Sequence, residues 1–215
     1  MKKKGMGKMI TGKTASIYKY KFEMKKMVYT AILTAIVLFL QLVVSPIKFG
    51  QFSITFCSVP IVIGAIICGP LTGLWLGMVF GIAVLLSGDA ALFLPIDPFG
   101  TAFIVLLKGA IAGFVSGLIF DLLKKKDMTI ATYLAAVCFN IVNTGIFYIG
   151  CRLFFFDWVK SIAGGTNGYL YILTGVIGLN FFIEVAVSVL FAPVIARLIA
   201  LIPDKKQTNK SIRDF

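Results

Sequence analysis

TAFIVLLKGAIAGFVSGLIF, residues 101–120, is a run of 20 residues that contains a single charge, Lys108. A helix needs about 20 consecutive, mostly apolar residues to cross the hydrocarbon core of a bilayer. The run also contains Gly109, Gly113 and Gly117. Glycines four residues apart lie along one helix face and let a neighbouring backbone approach closely. The stretch therefore predicts a membrane-spanning helix that packs tightly against another helix.

Five further apolar stretches accompany this one along the chain. They run roughly over residues 28–45, 55–69, 71–87, 129–150 and 169–200. The chain has 215 residues, of which 59% are hydrophobic, and its mean hydropathy is +0.98, so little is left for a soluble domain. The sequence therefore predicts an all-α integral membrane protein, folded as a compact bundle of six transmembrane helices.

Two of the apolar stretches are shorter than a usual spanning helix. They are joined by Gly69-Pro70, which predicts a close helical hairpin or partly broken helices. The second of the two contains Gly73, Gly77 and Gly81 at the same four-residue spacing as the glycines of 101–120. Two such stripes predict that these helices pack closely within the bundle.

The positive charges lie almost entirely on one side of the predicted spans. If the spans alternate from a cytoplasmic N-terminus, the inside segments 1–27, 69–72, 121–128 and 197–215 carry 17 of the 21 Lys and Arg residues. Excess Lys and Arg in short loops marks the cytoplasmic side, so both termini are predicted to be cytoplasmic. The net charge of +12 then reflects topology and anionic headgroups rather than a nucleic-acid partner.

This pattern divides the chain into three regions. They are a basic cytoplasmic N-terminal tail over 1–27, a six-helix membrane domain over 28–202 and a cytoplasmic C-terminal tail over 203–215.

One motif matches a nucleotide-binding pattern in its letters only. Residues 7–14, GKMITGKT, fit G-x-x-x-x-G-K-[ST]. A phosphate-binding loop must leave a buried strand and begin a helix, and residues 1–6 form no such strand. The chain has no histidine, and its four cysteines form no C-x-x-C pair. We therefore predict no nucleotide site, no metal, no cofactor and no catalytic residues.

Five polar side chains within the apolar stretches are candidates for a functional site. They are Lys108, Asn140, Asn143, Asn180 and Glu184. Ionisable groups inside a membrane are costly to bury, and they usually face an interior cavity with a function. Because Asn140 and Asn143 are three residues apart and Asn180 and Glu184 four apart, each pair shares a helix face. If these faces converge, they line a polar pocket that opens to the outer side.

The outer loops carry aromatic and acidic residues suited to a small ring-bearing or polar solute. Residues 46–54 alternate in polarity, which predicts a short strand or hairpin lid that includes Gln51 and Phe52. Asp89 or Asp97 is an alternative to Glu184 as the partner of Lys108. Residues 154–156, three phenylalanines, are predicted to form an interfacial aromatic belt. The predicted substrate-binding residues are Gln51, Phe52, Asp89, Asp97, Lys108, Asn140, Asn143, Trp158, Asn180 and Glu184.

Several runs of the sequence resemble the substrate-binding S components of energy-coupling factor (ECF) vitamin transporters. The run from Ile54 to Ala65, ITFCSVPIVIGA, is followed by GPLTGLWLG from Gly69 to Gly77. The runs LKGAIAG at 107–113 and NTG at 143–145 agree with the same family. The resemblance covers roughly residues 25–202.

The resemblance implies a non-catalytic subunit of an ABC importer in a bacterial plasma membrane. Such a subunit binds a water-soluble vitamin at its outer face, docks on a membrane-embedded T component and reorients to release the vitamin inside. Two cytosolic ATPases supply the energy. Ala31 and Ala35 match the family's AxxxA docking pattern. Lys108, Arg152 and Lys160 favour an anionic vitamin, and pantothenate, folate and riboflavin are the classes considered.

Two other functions remain open from the residues alone. One is an integral-membrane enzyme that modifies lipids, with Asp89, Asp97 and Asp157 as acids or metal ligands. The other is a partner-independent channel or facilitator, in which the two glycine-striped helices line a path for a small solute.

Overall fold

A computed structural model describes residues 23–44, 56–162 and 178–200, and in the last segment it describes the side chains of residues 181–197. The described residues form helices and turns, which confirms the all-α class for this part of the chain. The helices are α1 Glu23–Val44, α2 Ser58–Cys68, α3 Pro70–Ser87, α4 Pro98–Leu123, α5 Met128–Phe154, α6 Phe156–Ile162 and α7 Gly178–Ala200.

Local sequence signals set where the long central helices begin. Asp97 is the N-cap of α4, and its Oδ1 accepts a hydrogen bond of 2.9 Å from the backbone N–H of Gly100. Asp127 is the N-cap of α5, and its Oδ1 accepts from the backbone N–H groups of Thr129 and Ile130. A carboxylate at the N-cap satisfies amides that have no partner inside the helix and interacts favourably with the helix dipole.

The predicted hairpin at Gly69-Pro70 is confirmed. Gly69 has φ of 103°, which reverses the chain between α2 and α3, and Pro70 begins α3 at a position that tolerates the loss of an N–H. Helix α2 has only 11 residues. At about 1.5 Å per residue it is about 16 Å long, against a hydrocarbon core of about 30 Å. Most of α2 is buried among α3, α4 and α5.

Helices α3 and α4 make the most extensive contact in the described part of the protein, and their two glycine stripes form it. Gly73 faces the carbonyl of Gly113, Gly77 faces that of Gly109, and the contacts are reciprocal. The predicted role of both stripes in packing is confirmed. Because the two backbones touch, these glycines do not line a solute path between α3 and α4.

Four of the described helices, α1, α3, α4 and α5, are long and apolar enough to span a membrane. Helix α2 is shorter but apolar. The number of spans, the cytoplasmic position of both termini and the boundaries at residues 27 and 202 stay predictions. The sixth apolar stretch, 169–200, is described only from Gly178 onward, as α7.

The α3–α4 contact predicts that one added methyl group lowers the stability of the protein at Gly77 but not at Gly145. A Cβ at Gly77 would overlap the carbonyl of Gly109, whereas a Cβ at Gly145 in α5 would meet no atom within 4 Å. We expect Gly77→Ala to lower the free energy of unfolding by about 1–3 kcal/mol, as overpacking does in well-packed cores. Gly145→Ala should leave it unchanged or raise it slightly. Thermal unfolding of both variants in detergent tests this, and equal midpoints would contradict the packing.

Candidate functional site

A buried hydrogen-bond network joins α2, α5 and α7. The side-chain amide of Asn140 in α5 donates to the Ser188 hydroxyl of α7 at 2.8 Å, to the backbone carbonyl of Glu184 at 3.4 Å and to that of Ala136 at 3.2 Å. The Ser188 hydroxyl lies 3.2 Å from that of Ser58, at the start of α2. Asn140, one of the three predicted asparagines, therefore has a structural role in holding these helices together.

Two amide oxygens in this region have no hydrogen-bond partner. The Oδ1 atoms of Asn140 and Asn143 are both buried and unsatisfied, and the two residues are 0% and 7% exposed. The described residues also provide no partner for the rest of the Asn143 side chain. A buried acceptor without a donor costs about 1–3 kcal/mol. Such atoms are suited to accept hydrogen bonds from a bound molecule.

A second network centres on Gln41, a residue that was not predicted as part of the site. Gln41 is 1% exposed and lies in the π-helical last turn of α1, Leu40–Val44. Its Nε2 donates to the Asp89 carboxylate at 2.5 Å and to the Ser87 hydroxyl at 3.1 Å, while its Oε1 accepts from the Cys57 thiol at 3.5 Å. The network ties the end of α1 to the start of α2 and the end of α3.

Lys108 lies well inside helix α4. It is ten residues after Pro98, where α4 begins, and so about 15 Å along the helix at about 1.5 Å per residue. Its ammonium lies 4.6 Å from the ring centroid of Phe147 in α5. Among the described residues, its ammonium forms no ion pair with Glu184.

An aromatic cluster lies beside Lys108. The ring of Phe93 packs against Phe147 at 5.6 Å, Phe155 at 5.0 Å and Trp158 at 5.7 Å between centroids. Phe155 is 2% exposed, so the prediction that it belongs to an interfacial belt is wrong. The chain bends at Phe155, between α5 and α6, and this turns the ring inward while Phe154 stays exposed.

The structure brings together most of the predicted site residues that it describes. Asp89 and Asn140 belong to the two networks, Trp158 belongs to the aromatic cluster, and Lys108 lies over the ring of Phe147 in that cluster. Glu184 joins the Asn140 network through its backbone carbonyl, and Asn143 lies one turn from Phe147 in α5. Asp97 instead caps α4 through Gly100. Gln51, Phe52 and the motif at residues 7–14 lie outside the described residues. Asn180 is in helix α7, and its side chain is not among those described.

The three acidic residues that the enzyme hypothesis requires lie at separate positions and have different surroundings. Asp97 is a helix cap, Asp89 binds Gln41, and Asp157 is exposed in α6. Across residues 23–44, 56–162 and 178–200, no group of three or more His, Cys, Asp or Glu residues could hold a metal ion.

A groove of about 650 Å³ lies at the other end of the bundle, between α1 and α3. Ala31 lines it, and both Ala31 and Ala35 are exposed. Trp75, which is 51% exposed, donates from its Nε1 to the Thr34 hydroxyl at 3.3 Å across the groove. Its wall also includes Lys26, Met27, Thr30, Cys68, Leu71 and Thr72.

Residues 25–196 match the family described as "ECF transporter, substrate-specific component". No curated protein and no solved structure matches the chain.

The two asparagines of α5 should respond differently to the same substitution. Asn140→Leu removes the amide that binds Ser188 and two carbonyls, so we expect a loss of at least about 1 kcal/mol in the free energy of unfolding of the ligand-free protein. Asn143→Leu removes an unsatisfied buried oxygen, and we expect no loss. Thermal unfolding midpoints of the ligand-free variants test this. Equal destabilisation would show that Asn143 also serves the fold.

Proposed function

The chain belongs to the family of substrate-specific components of ECF transporters, and we propose that it captures a water-soluble vitamin. The vitamin is of the pantothenate, folate or riboflavin class, and it is captured at the outer face of a bacterial plasma membrane. It is a multi-pass membrane protein and a transporter subunit, and the family is not one of enzymes. In this proposal the substrate contacts Lys108, Asn143 and Glu184 and the rings of Phe147 and Trp158.

The observation that carries this proposal is the convergence of polar groups inside an apolar bundle. Lys108 from α4, Asn143 from α5 and Glu184 from α7 have no structural hydrogen bond from their side chains among the described residues. Buried polar groups without such bonds are costly, and within a membrane they usually serve function. The rings of Phe147 and Trp158 beside them suit the face of a ring-bearing ligand.

The charge pattern supports an outer position for this site. The site lies toward the C-terminal ends of α1, α3 and α5 and the N-terminal halves of α4 and α7. The basic run at residues 124–126 follows the opposite end of α4. Since basic loops mark the cytoplasmic side, the site opens away from the cytoplasm.

Delivery to the inside depends on partners in this proposal. The chain docks on a membrane-embedded T component that is energised by two cytosolic ATPases. Ala31 lines the α1–α3 groove, and Ala35 is exposed one turn further along α1. Both support a docking role, since small residues four apart let another helix approach closely. The channel and the lipid-modifying enzyme lack comparable support, because α3 and α4 are in backbone contact and the three aspartates do not form one group.

The first experiment is mass spectrometry of small molecules released on denaturing the gently purified protein. We expect one vitamin at about one molecule per chain, because a ligand with a Kd near 1 nM, about −12 kcal/mol, survives purification. An empty protein that also binds no member of a broad vitamin panel would contradict the proposal.

The docking surface makes a separate prediction. Ala31→Leu with Ala35→Leu places two large side chains on the exposed face of α1, so we expect loss of co-purification with the T component and the ATPases, while vitamin binding persists. Ala91→Leu, at an exposed position near Asp89 and the opposite end of the bundle, is the matched control and should keep the partners. Normal co-purification of the double variant would rule out this face.

A further inference from the structure

We infer that Gln41 is a positioning residue for the proposed ligand site. Through its hydrogen bond to Asp89, Gln41 fixes the segment 88–97, and this segment in turn holds the ring of Phe93 against the aromatic cluster. This role rests on the proposed function, and it adds to the site a residue that acts on the ligand through other residues.

Gln41 has a buried side-chain amide whose orientation is set by a carboxylate. The residue is 1% exposed, and its Nε2 lies 2.5 Å from the Asp89 carboxylate. A carboxylate only accepts hydrogen bonds, so the amide atom that faces it is the nitrogen. The same nitrogen donates to the Ser87 hydroxyl, and Oε1 accepts from the Cys57 thiol. Because hydrogen bonds to ionised groups are about twice as strong as neutral ones, the bond to Asp89 is the strongest of the three.

The irregular last turn of α1 directs this amide into the bundle. The turn is π-helical over Leu40–Val44, and within it Gln41 is the buried residue, whereas Leu42 and Val43 are exposed. Single π-helical turns are rare and are frequently found at functional sites. The turn thus points one polar side chain inward, toward Asp89, and two apolar side chains away from it.

The segment 88–97 transmits the position of Asp89 to Phe93. It consists of consecutive turns, which backbone hydrogen bonds of 3.0 to 3.2 Å link to one another. Ala90, which follows Asp89, is 3% exposed, and Phe93 is 8% exposed. Asp89 and Phe93 are therefore four residues apart within one hydrogen-bonded and partly buried unit. A displacement of Asp89 moves Phe93 as well.

Phe93 is the point at which this segment meets the proposed ligand site. Its ring packs edge-on against Phe147 at 5.6 Å and against Trp158 at 5.7 Å between centroids. Phe147 is also the ring over which the Lys108 ammonium lies, at 4.6 Å. Without Phe93 in place, these rings would have to be ordered when the ligand binds, and that ordering lowers the affinity.

The test exchanges the two groups of the Gln41–Asp89 hydrogen bond. In Gln41→Glu, two carboxylates face each other and repel at about pH 8. Gln41→Glu combined with Asp89→Asn restores a hydrogen bond whose direction is reversed. The effect of Gln41→Glu is measured in the natural chain and again in a chain that carries Asp89→Asn. Because both chains in the second comparison lack the Asp89 charge, the interactions of that charge with other groups do not enter it.

The first measurement needs no ligand. Cys151 is 0% exposed and packs with Phe93 and Phe155, whereas Cys68 lines the groove at the other end of the bundle. The rate of alkylation by N-ethylmaleimide is followed at each cysteine by peptide mass spectrometry. We expect Gln41→Glu to accelerate the reaction at Cys151 by about tenfold in the natural chain and by about threefold at most in the Asp89→Asn chain. The rate at Cys68 should stay constant.

The second measurement is the affinity of the purified full chain in detergent for a vitamin. The probe is whichever of pantothenate, riboflavin and folate the natural chain binds. We expect Gln41→Glu to weaken its binding by about tenfold in the natural chain and by about threefold at most in the Asp89→Asn chain.

Ser116→Ala is the matched control for both measurements. Ser116 is also buried, and its hydroxyl donates to the Ala135 carbonyl at 3.0 Å, about 12 Å further along α4 than Lys108. The variant removes a buried hydrogen bond that does not involve the segment 88–97. It should change neither the alkylation of Cys151 nor the affinity.

The two measurements separate this role of Gln41 from the vitamin-binding function. Equal effects of Gln41→Glu in both chains, or an equal rise at Cys68 and Cys151, would overturn the positioning role. A faster reaction at Cys151 with unchanged affinity would overturn it too, because the rings would then be displaced without consequence for the ligand. If the natural chain is purified empty and binds no vitamin of a broad panel, the vitamin-binding function fails, and the alkylation of Cys151 alone decides whether Gln41 positions the rings.

Discussion

The backbone contact between α3 and α4 is the constraint on which the rest of the structure depends. Gly77 and Gly109 leave no room for a side chain, so the two helices have one register along each other. Lys108 immediately precedes Gly109, and its depth in the bundle is therefore set by this contact. In a membrane, where the surrounding lipid is as apolar as the helix surfaces, such close packing is what holds helices together.

Some polar side chains make hydrogen bonds that hold the helices together, whereas others make no hydrogen bond to the described residues. Gln41 connects three segments through hydrogen bonds. Asn140 connects α5 to α7, where Ser188 in turn contacts Ser58 of α2. Lys108, Asn143 and the Glu184 side chain make no such bonds among the described residues. The fold thus supplies a rigid frame around groups whose hydrogen-bonding capacity is unused, as preorganised binding sites require.

The sequence predicted the helical class, the α2–α3 hairpin and the glycine packing, and it singled out Lys108, Asn140, Asn143 and Glu184, whose role in binding stays a prediction. Those signals are local: spacing, helix breakers and charges within apolar runs. It did not reveal Gln41, although a lone glutamine in FLQLV could have been found by the rule that identified Lys108. The cap at Asp97 could also have been found, because Asp followed by Pro is a local signal for a helix start. The sequence could not separate Phe155 from its neighbours, because its burial depends on how the chain turns between α5 and α6.

The two tryptophans of the chain lie in the two different surfaces described above. Trp158 touches Phe93 beside the polar site, whereas Trp75 is half exposed in the groove at the opposite end. The protein therefore contains two built-in fluorescent reporters, one for each end of the bundle. With either one replaced by phenylalanine, the emission of the other reports on one end of the bundle alone. The proposed ligand capture and the proposed partner contact can then be timed separately in two parallel optical experiments, without any attached dye.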